Sequence, residues 1–242
     1  MITTITVGHG AHANALREED WARLAGAIRC AAADPVVRAV VLTGAGTTFS
    51  AGSDLGEWED ADQESVERCF TRMEQCFRTI EQVDLPVVAA VEGNALGAGC
   101  QLALACDLVV MARSATLGMP IARLGILASP AFAARLSTKV GTAVAADLYM
   151  TGRRVDAAEA HSRGLVARVT DDGDAYDTAY RIAEQMSALP TASLVAAKQA
   201  LSAVSRSDFD LPPQRSAPSV SIDEFHSAVS TFVHRHDRAQ AS

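Results

Sequence analysis

The sequence predicts an α/β fold, and three observations carry that prediction. The order strand, glycine-rich loop, helix occurs twice, in VVLTGAGTTFSAGSD and in VVAAVEGNALGAGC. A long amphipathic helix over 62–83, with Val66, Phe70, Met73, Phe77 and Ile80 on one stripe, lies between the two units and supplies a crossover. Two crossover units side by side make a parallel sheet covered by helices.

Each element carries its own signal. Residues 2–7 alternate as a short strand. Trp21, Leu24, Ala25 and Ile28 mark a helix over 18–33, which Asp34-Pro35 ends. Residues 36–42 (VVRAVVL) read as a buried strand, and Asp54 is placed to cap the segment after the first loop. Pro86 opens the strand VVAAV. The stretch GNALGAGCQLALACDLVV then reads as a tight turn, a short apolar helix and another buried strand. Beyond residue 113 the pattern is mostly helical, over 130–150, 156–163, 174–188 and 190–204, with a short strand at 165–169. Residues 205–219, rich in Ser and Pro, read as a linker before a last amphipathic helix at 222–235.

Composition narrows the function classes. The chain has 242 residues, 49% of them hydrophobic, enough for one compact domain. A net charge of −8 without a basic cluster argues against nucleic acid and anionic membranes. No apolar run reaches the roughly 18 residues of a membrane helix. The N-terminus shows no export signal, so a cytoplasmic protein is expected. The five cysteines form no C-x-x-C pair and read as free thiols, with no metal site. Of 21 basic residues only Lys139 and Lys198 are lysines, which with the abundant Ala reflects a GC-rich coding bias.

The two loops together are more specific than either alone. They are neither G-x-G-x-x-G nor G-x-x-x-x-G-K-[ST]. FSAGSDL resembles the F-x-A-G-A-D-[LIV] motif of the enoyl-CoA hydratase/isomerase (crotonase) superfamily. NALGAGCQLALACDLVVMA resembles that family's second loop, G-x-A-x-G-G-G-x-E-L-x-x-x-C-D. HANAL, DPVVRAVVLTG, LPVVAAVEG, MTGRRVDAAEAHSRGLVARV and FHSAVSTFVHRH extend the likeness over nearly the whole chain.

The resemblance implies a ClpP-like spiral of ββα units over 1–190. It also implies a C-terminal helical region over 191–242 that builds a trimer or a dimer of trimers. It implies an acyl thioester substrate, whose coenzyme A or pantetheine arm is the only cofactor-like group. The thioester oxygen would lie between the amides of Ser53 and Ala98, with Ala51, Gly52 and Asp54 on the first loop and Gly97 and Gly99 on the second. Met119, Ile121, Ser129 and Phe132 would line the acyl group, Phe132 either narrowing the pocket or filling core. Phe232 and Arg235 match positions that in relatives reach a neighbouring subunit's coenzyme A; Lys198 could do likewise or sit on a solvated face. Family members often place a basic residue where this chain has Ala11 and Thr47.

The pattern breaks at the acid–base positions. Hydratases of the family use two glutamates, and their positions here are Gln101 and Ile121. An amide moves no proton at ordinary pH, though it can hold a water or a polar acyl group. Glu57, Glu59 and Asp60 come after the first loop, either as a relocated base or as an acidic helix start, and Glu57 is the candidate. Three functions are then open. One is an enzyme of enolate-type chemistry, such as decarboxylation, C–C cleavage or cyclisation, on a CoA-bound or carrier-bound thioester. The second is a non-catalytic acyl-CoA-binding protein. The third is a hydratase with relocated acid–base groups.

Overall fold

The computed structural model describes the backbone of residues 1–207, 220 and 222–240, and the side chains of 1–203, 220 and 222–234. Strands β1 (Ile2–Val7), β2 (Ala39–Gly44), β3 (Val87–Val91), β5 (Leu108–Ala112) and β8 (Arg168–Thr170) form a parallel sheet in the order β1-β2-β3-β5-β8. All five residues of β3 are buried, as the centre of a sheet covered on both faces requires. Helices α1 (Glu18–Ala33) and α2 (Gln63–Gln82) pack on each other, and α6 (Ala175–Ser187) packs across β2, β3 and β5.

A second sheet was not foreseen. Strands β4 (Asn94–Leu96), β6 (Thr116–Gly118) and β7 (Arg154–Asp156) are three residues each, too short to show a period. Strand β4 pairs parallel with β6, which pairs antiparallel with β7. Two predicted strands begin later than expected. Val36 and Val37 instead close a turn on Asp34, whose Oδ1 and carbonyl accept their amides. Leu165 and Val166 donate to Ala160 O and finish α5 (Ala157–Ser162) before β8 starts.

Helix α3 (Ala98–Ala105) carries the second loop into the core. Helix α4 (Pro130–Thr151) is broken at Gly141, whose φ of 75° and ψ of 162° suit glycine alone. Helices α7 (Thr191–Ser207) and α8 (Ile222–Gln240) complete the chain's described elements, and most of the predicted linker lies outside the described residues.

A chain of aromatic rings crosses the core. Trp21 meets Phe77 edge-on at 5.5 Å, Phe77 meets Phe132 at 5.9 Å, and Phe132 meets Phe70 at 6.4 Å. Phe70 stacks on Trp58 at 5.4 Å, and Trp58 meets Phe225 of α8 at the same distance. Such buried rings stabilise by about 1.5–3 kcal/mol each. The chain ties α1, α2, α4 and α8 together.

Candidate functional site

The first loop is held by main-chain contacts. His12, Ala13 and Asn14 adopt positive φ (50°, 52° and 56°), a left-handed turn that costs roughly 1–2 kcal/mol per residue. The buried Asn14 amide offsets this by donating to Ala45 O at 2.9 Å and Thr48 O at 2.7 Å. Ser50 Oγ donates to Asn14 O and accepts from Gly52 N. Ala51 N donates to Ala13 O, and Leu16 and Ser53 form a bridge.

The second loop is stitched to the first. Ser50 N donates to Asn94 O and Leu96 N to Ser50 O, both at 3.0 Å. Gly97 turns the chain at φ 53° and donates to Gly118 O. The contact leaves no room for side chains. A Cβ on Gly99 would lie 2.3 Å from Ser50 O, and one on Gly52 would lie 2.8 Å from Leu96 O and 3.0 Å from Ala98 N. Glycine is required at both positions by close approach of two backbones. Neither Ser53 N nor Ala98 N donates a hydrogen bond among the described residues. Ala98 N opens α3, where the helix dipole favours negative charge. Two free amides on abutting loops can receive an anionic oxygen.

One turn further along α3, Gln101 is fully buried. Its Oε1 accepts from Arg135 Nη1 at 2.9 Å. Its Nε2 donates to Tyr149 Oη at 2.9 Å and to Phe132 O at 3.4 Å, with Met119 Sδ at 3.8 Å. Arginine can only donate, so the amide oxygen must face Arg135 and the NH₂ must face the two oxygens. Arg135 also pairs with Glu74 and Glu81 and lies over the Phe77 ring at 5.0 Å. Burial works against its charge, but the carboxylates of Glu81 and Glu74 outweigh burial and hold its pKa above the ordinary value. Burial raises the Tyr149 hydroxyl. Both halves of α4 reach Gln101, Phe132 and Arg135 from one side of the Gly141 break and Tyr149 from the other.

The structure places Gln101 against Met119 and Phe132, and Phe132 is core, 3% exposed. The Gln101 amide is engaged internally, its oxygen by Arg135 and its nitrogen by Tyr149 and Phe132 O. Glu57 is engaged at a helix start. That residue lies in the turn Leu55–Trp58, its Oε2 accepts from Glu18 N at 2.9 Å, and it lines a cavity of about 390 Å³ with Glu18, Asp60 and Arg68. The carboxylate serves the start of α1, and burial raises its pKa. Asp54 is a cap, accepting from Gly56 N, and pairs with Arg17. Ser129 caps α4, its Oγ accepting from Phe132 N. Ile121 is buried in the turn Pro120–Leu124. Phe232 is 43% exposed on α8, and the Arg235 side chain lies outside the described residues. Lys198 is structural: its ammonium donates to Ile80 O, Leu85 O and Asp107 Oδ2.

Arg135, Tyr149 and Met73 were missed as site residues. One signal could have found the first. Glu74 and Glu81 stand seven residues apart, bordering the apolar stripe of α2, and an acidic pair at the edge of a buried face calls for a buried cation.

A profile of the enoyl-CoA hydratase/isomerase family matches residues 1–230. The chain is 33% identical over 200 residues to 2,3-dehydroadipyl-CoA hydratase of Escherichia coli strain K12, covering 83% of this chain and 78% of that protein. It is 32% identical over 217 residues to 1,2-epoxyphenylacetyl-CoA isomerase of the same organism, covering 86% and 81%. Among solved structures, enoyl-CoA hydratase of Bacillus anthracis superposes with a TM-score of 0.78 at 28% identity, over 99% of this chain and 87% of that one. A monofunctional enoyl-CoA isomerase from M. smegmatis gives 0.73 at 29% identity, over 85% and 89%. With the two stitched glycine loops and the parallel sheet behind them, these likenesses establish that this chain belongs to the enoyl-CoA hydratase/isomerase (crotonase) family.

Proposed function

We propose that this protein binds an acyl thioester with its carbonyl oxygen between Ser53 N and Ala98 N and turns it over by enolate-type chemistry. The observation that carries the reading is a pairing of opposites. The two amides have no partner among the described residues, while the side chain at the family's acid–base position is a neutral amide with every hydrogen bond filled. Two preorganised donors stabilise an enolate oxygen, and one such donor contributes about 3 kcal/mol. In a malonyl-type thioester the bond from Cα to the carboxylate breaks, CO₂ leaves, and the electron pair moves to the thioester oxygen held by the two amides. The enolate then takes a proton from water at Cα. No carboxylate is needed to begin this, because the substrate supplies the electron pair. Retro-Claisen cleavage and cyclisation share the enolate. Coenzyme A or a carrier's pantetheine comes with the substrate, and no further cofactor enters. A trimer or dimer of trimers is part of the proposal.

Hydration is disfavoured because it needs groups that carry protons, each worth ~10²-fold or more, and Gln101 and Ile121 are not such groups. A second reading, acyl-thioester binding without turnover, is favoured by one observation: the side chain one turn from the free Ala98 amide is a buried amide that carries no transferable proton. The test is to incubate the protein with crotonyl-CoA, malonyl-CoA and acetoacetyl-CoA, following turnover and binding. Conversion of malonyl- or acetoacetyl-CoA with crotonyl-CoA untouched supports the proposal. Multiple-turnover hydration of crotonyl-CoA defeats it, and binding without any product selects the second reading.

A further inference from the structure

The serine hydroxyls near the loops differ in the kind of partner they have. Ser50 Oγ donates to Asn14 O and accepts from Gly52 N. Ser129 Oγ accepts from Phe132 N. Ser53 Oγ, part-buried on the residue that offers one of the two free amides, has a single partner, the thioether of Met73 at 3.7 Å. Thioether sulfur is a weak acceptor, so the hydroxyl can exchange it for oxygen at little loss. The neighbouring Gln101 cannot take that role, because both of its N–H groups are engaged. Within one serine in a gauche rotamer, the amide nitrogen and Oγ lie about 3 Å apart and present two donors side by side. That spacing matches the two oxygens of a 1,3-dicarbonyl.

We propose that the Ser53 hydroxyl is a specificity-determining donor, which turns from Met73 Sδ to an oxygen on the third carbon of the acyl group and so selects 3-oxo-acyl and malonyl-type thioesters. The inference rests on the thioester reading of the site and deepens it. The thioester oxygen takes the amides of Ser53 and Ala98, and the second oxygen takes the hydroxyl. Both donors of Ser53 then orient the intact substrate, and once CO₂ or the acyl group carrying the second oxygen has left, the enolate charge lies on the thioester oxygen between the amides of Ser53 and Ala98.

Ser53→Ala keeps the amide and removes the hydroxyl. Calorimetric titration with acetoacetyl-CoA and butyryl-CoA, which differ at the third carbon alone, separates the two. The variant is expected to lose about tenfold in affinity for acetoacetyl-CoA and less than twofold for butyryl-CoA. Ser53→Thr, which restores a hydroxyl, is expected to recover the preference. Equal losses for both esters, or none for either, overturn the inference while leaving the thioester site intact. Wild-type protein that binds neither ester defeats the thioester reading itself and this inference with it. Met73→Leu removes the sulfur and leaves the hydroxyl, so the preference should persist or widen. If it vanishes instead, packing of Met73 and not the hydroxyl carries it, and the inference fails.

Discussion

Two places on helix α3, one turn apart, are built on opposite principles. At Ala98 the main chain presents an amide that nothing in the described protein uses. At Gln101 the side chain is buried and saturated, with Arg135, Tyr149 and Phe132 O taking every polar atom. A function carried by the main chain tolerates changes of side chain, so the side chains of Ser53 and Ala98 leave their amides unaffected. A function carried by a side chain is lost with that side chain, and the space it leaves falls to packing. Here an arginine with two acidic partners has made the position part of the scaffold. The same helix thus offers a free main-chain amide at its start and a side chain committed to the scaffold one turn later.

The largest expected effect tests the scaffold half. Arg135→Met would leave Glu81 without its cation and Gln101 Oε1 without its donor, while Glu74 would keep only Arg78. Breaking a buried ion pair from one side destabilises by about 3–5 kcal/mol. Urea unfolding should show a loss of that order, and a loss under about 1 kcal/mol would mean that the network does not bear on the fold. Gly52→Ala tests the main-chain half. Its φ of 99° is unsuited to alanine, and the added methyl would press on Leu96 O and Ala98 N. Affinity for acyl thioesters, or turnover, should fall ~10²-fold, as loss of one oxyanion donor does. An undiminished rate would show that the carbonyl oxygen is held elsewhere.

These two halves differ in the same way in how far the sequence reveals them. The parallel sheet and the glycine loops were legible, because covered strands are continuous apolar runs and because Gly52 and Gly99 mark backbones that touch. Strands β4, β6 and β7 were not, since three residues carry no period. Gln101 itself was legible as an amide where the resemblance calls for a glutamate. Its partners were not, because Arg135 and Tyr149 lie 34 and 48 residues from it and meet it through the break at Gly141. The orientation of Glu57 was hidden for a related reason. Proximity in sequence to the first loop says nothing of which way a carboxylate turns, and this one turns to the free amides of α1.

A smaller effect separates chemistry from scaffold at Gln101 itself. In Gln101→Glu the carboxylate would stay pinned by Arg135, its pKa driven down by that cation. It would lose the N–H toward Phe132 O and set two acceptors against each other, whereas Tyr149 can turn to donate. A loss of about 1–2 kcal/mol in stability is expected, with crotonyl-CoA hydration still at background. Hydration rising a hundredfold would sink the view that this position has become structural.

The smallest effect concerns Glu57 and decides whether a base has simply moved. Its amide contact to Glu18 N survives in Glu57→Gln, because the side-chain oxygen can still accept. Thioester turnover should therefore be unchanged, and a tenfold drop would revive a relocated base. A second readout is pH. Burial raises the Glu57 pKa above its ordinary value of 4.5, so the folded chain binds this proton more readily than the unfolded one. The resulting stability is present below that value and is lost as pH rises through the raised folded value. In Glu57→Gln that slope disappears, by a few tenths of a kcal/mol once solvent screening is allowed for. Urea midpoints of the two proteins should thus converge in acid and separate in favour of the variant above the raised value. If the wild type instead gained stability relative to the variant as pH rose, the carboxylate would be favoured in its charged form. Glu57 would then face a cation and not the half-buried start of α1.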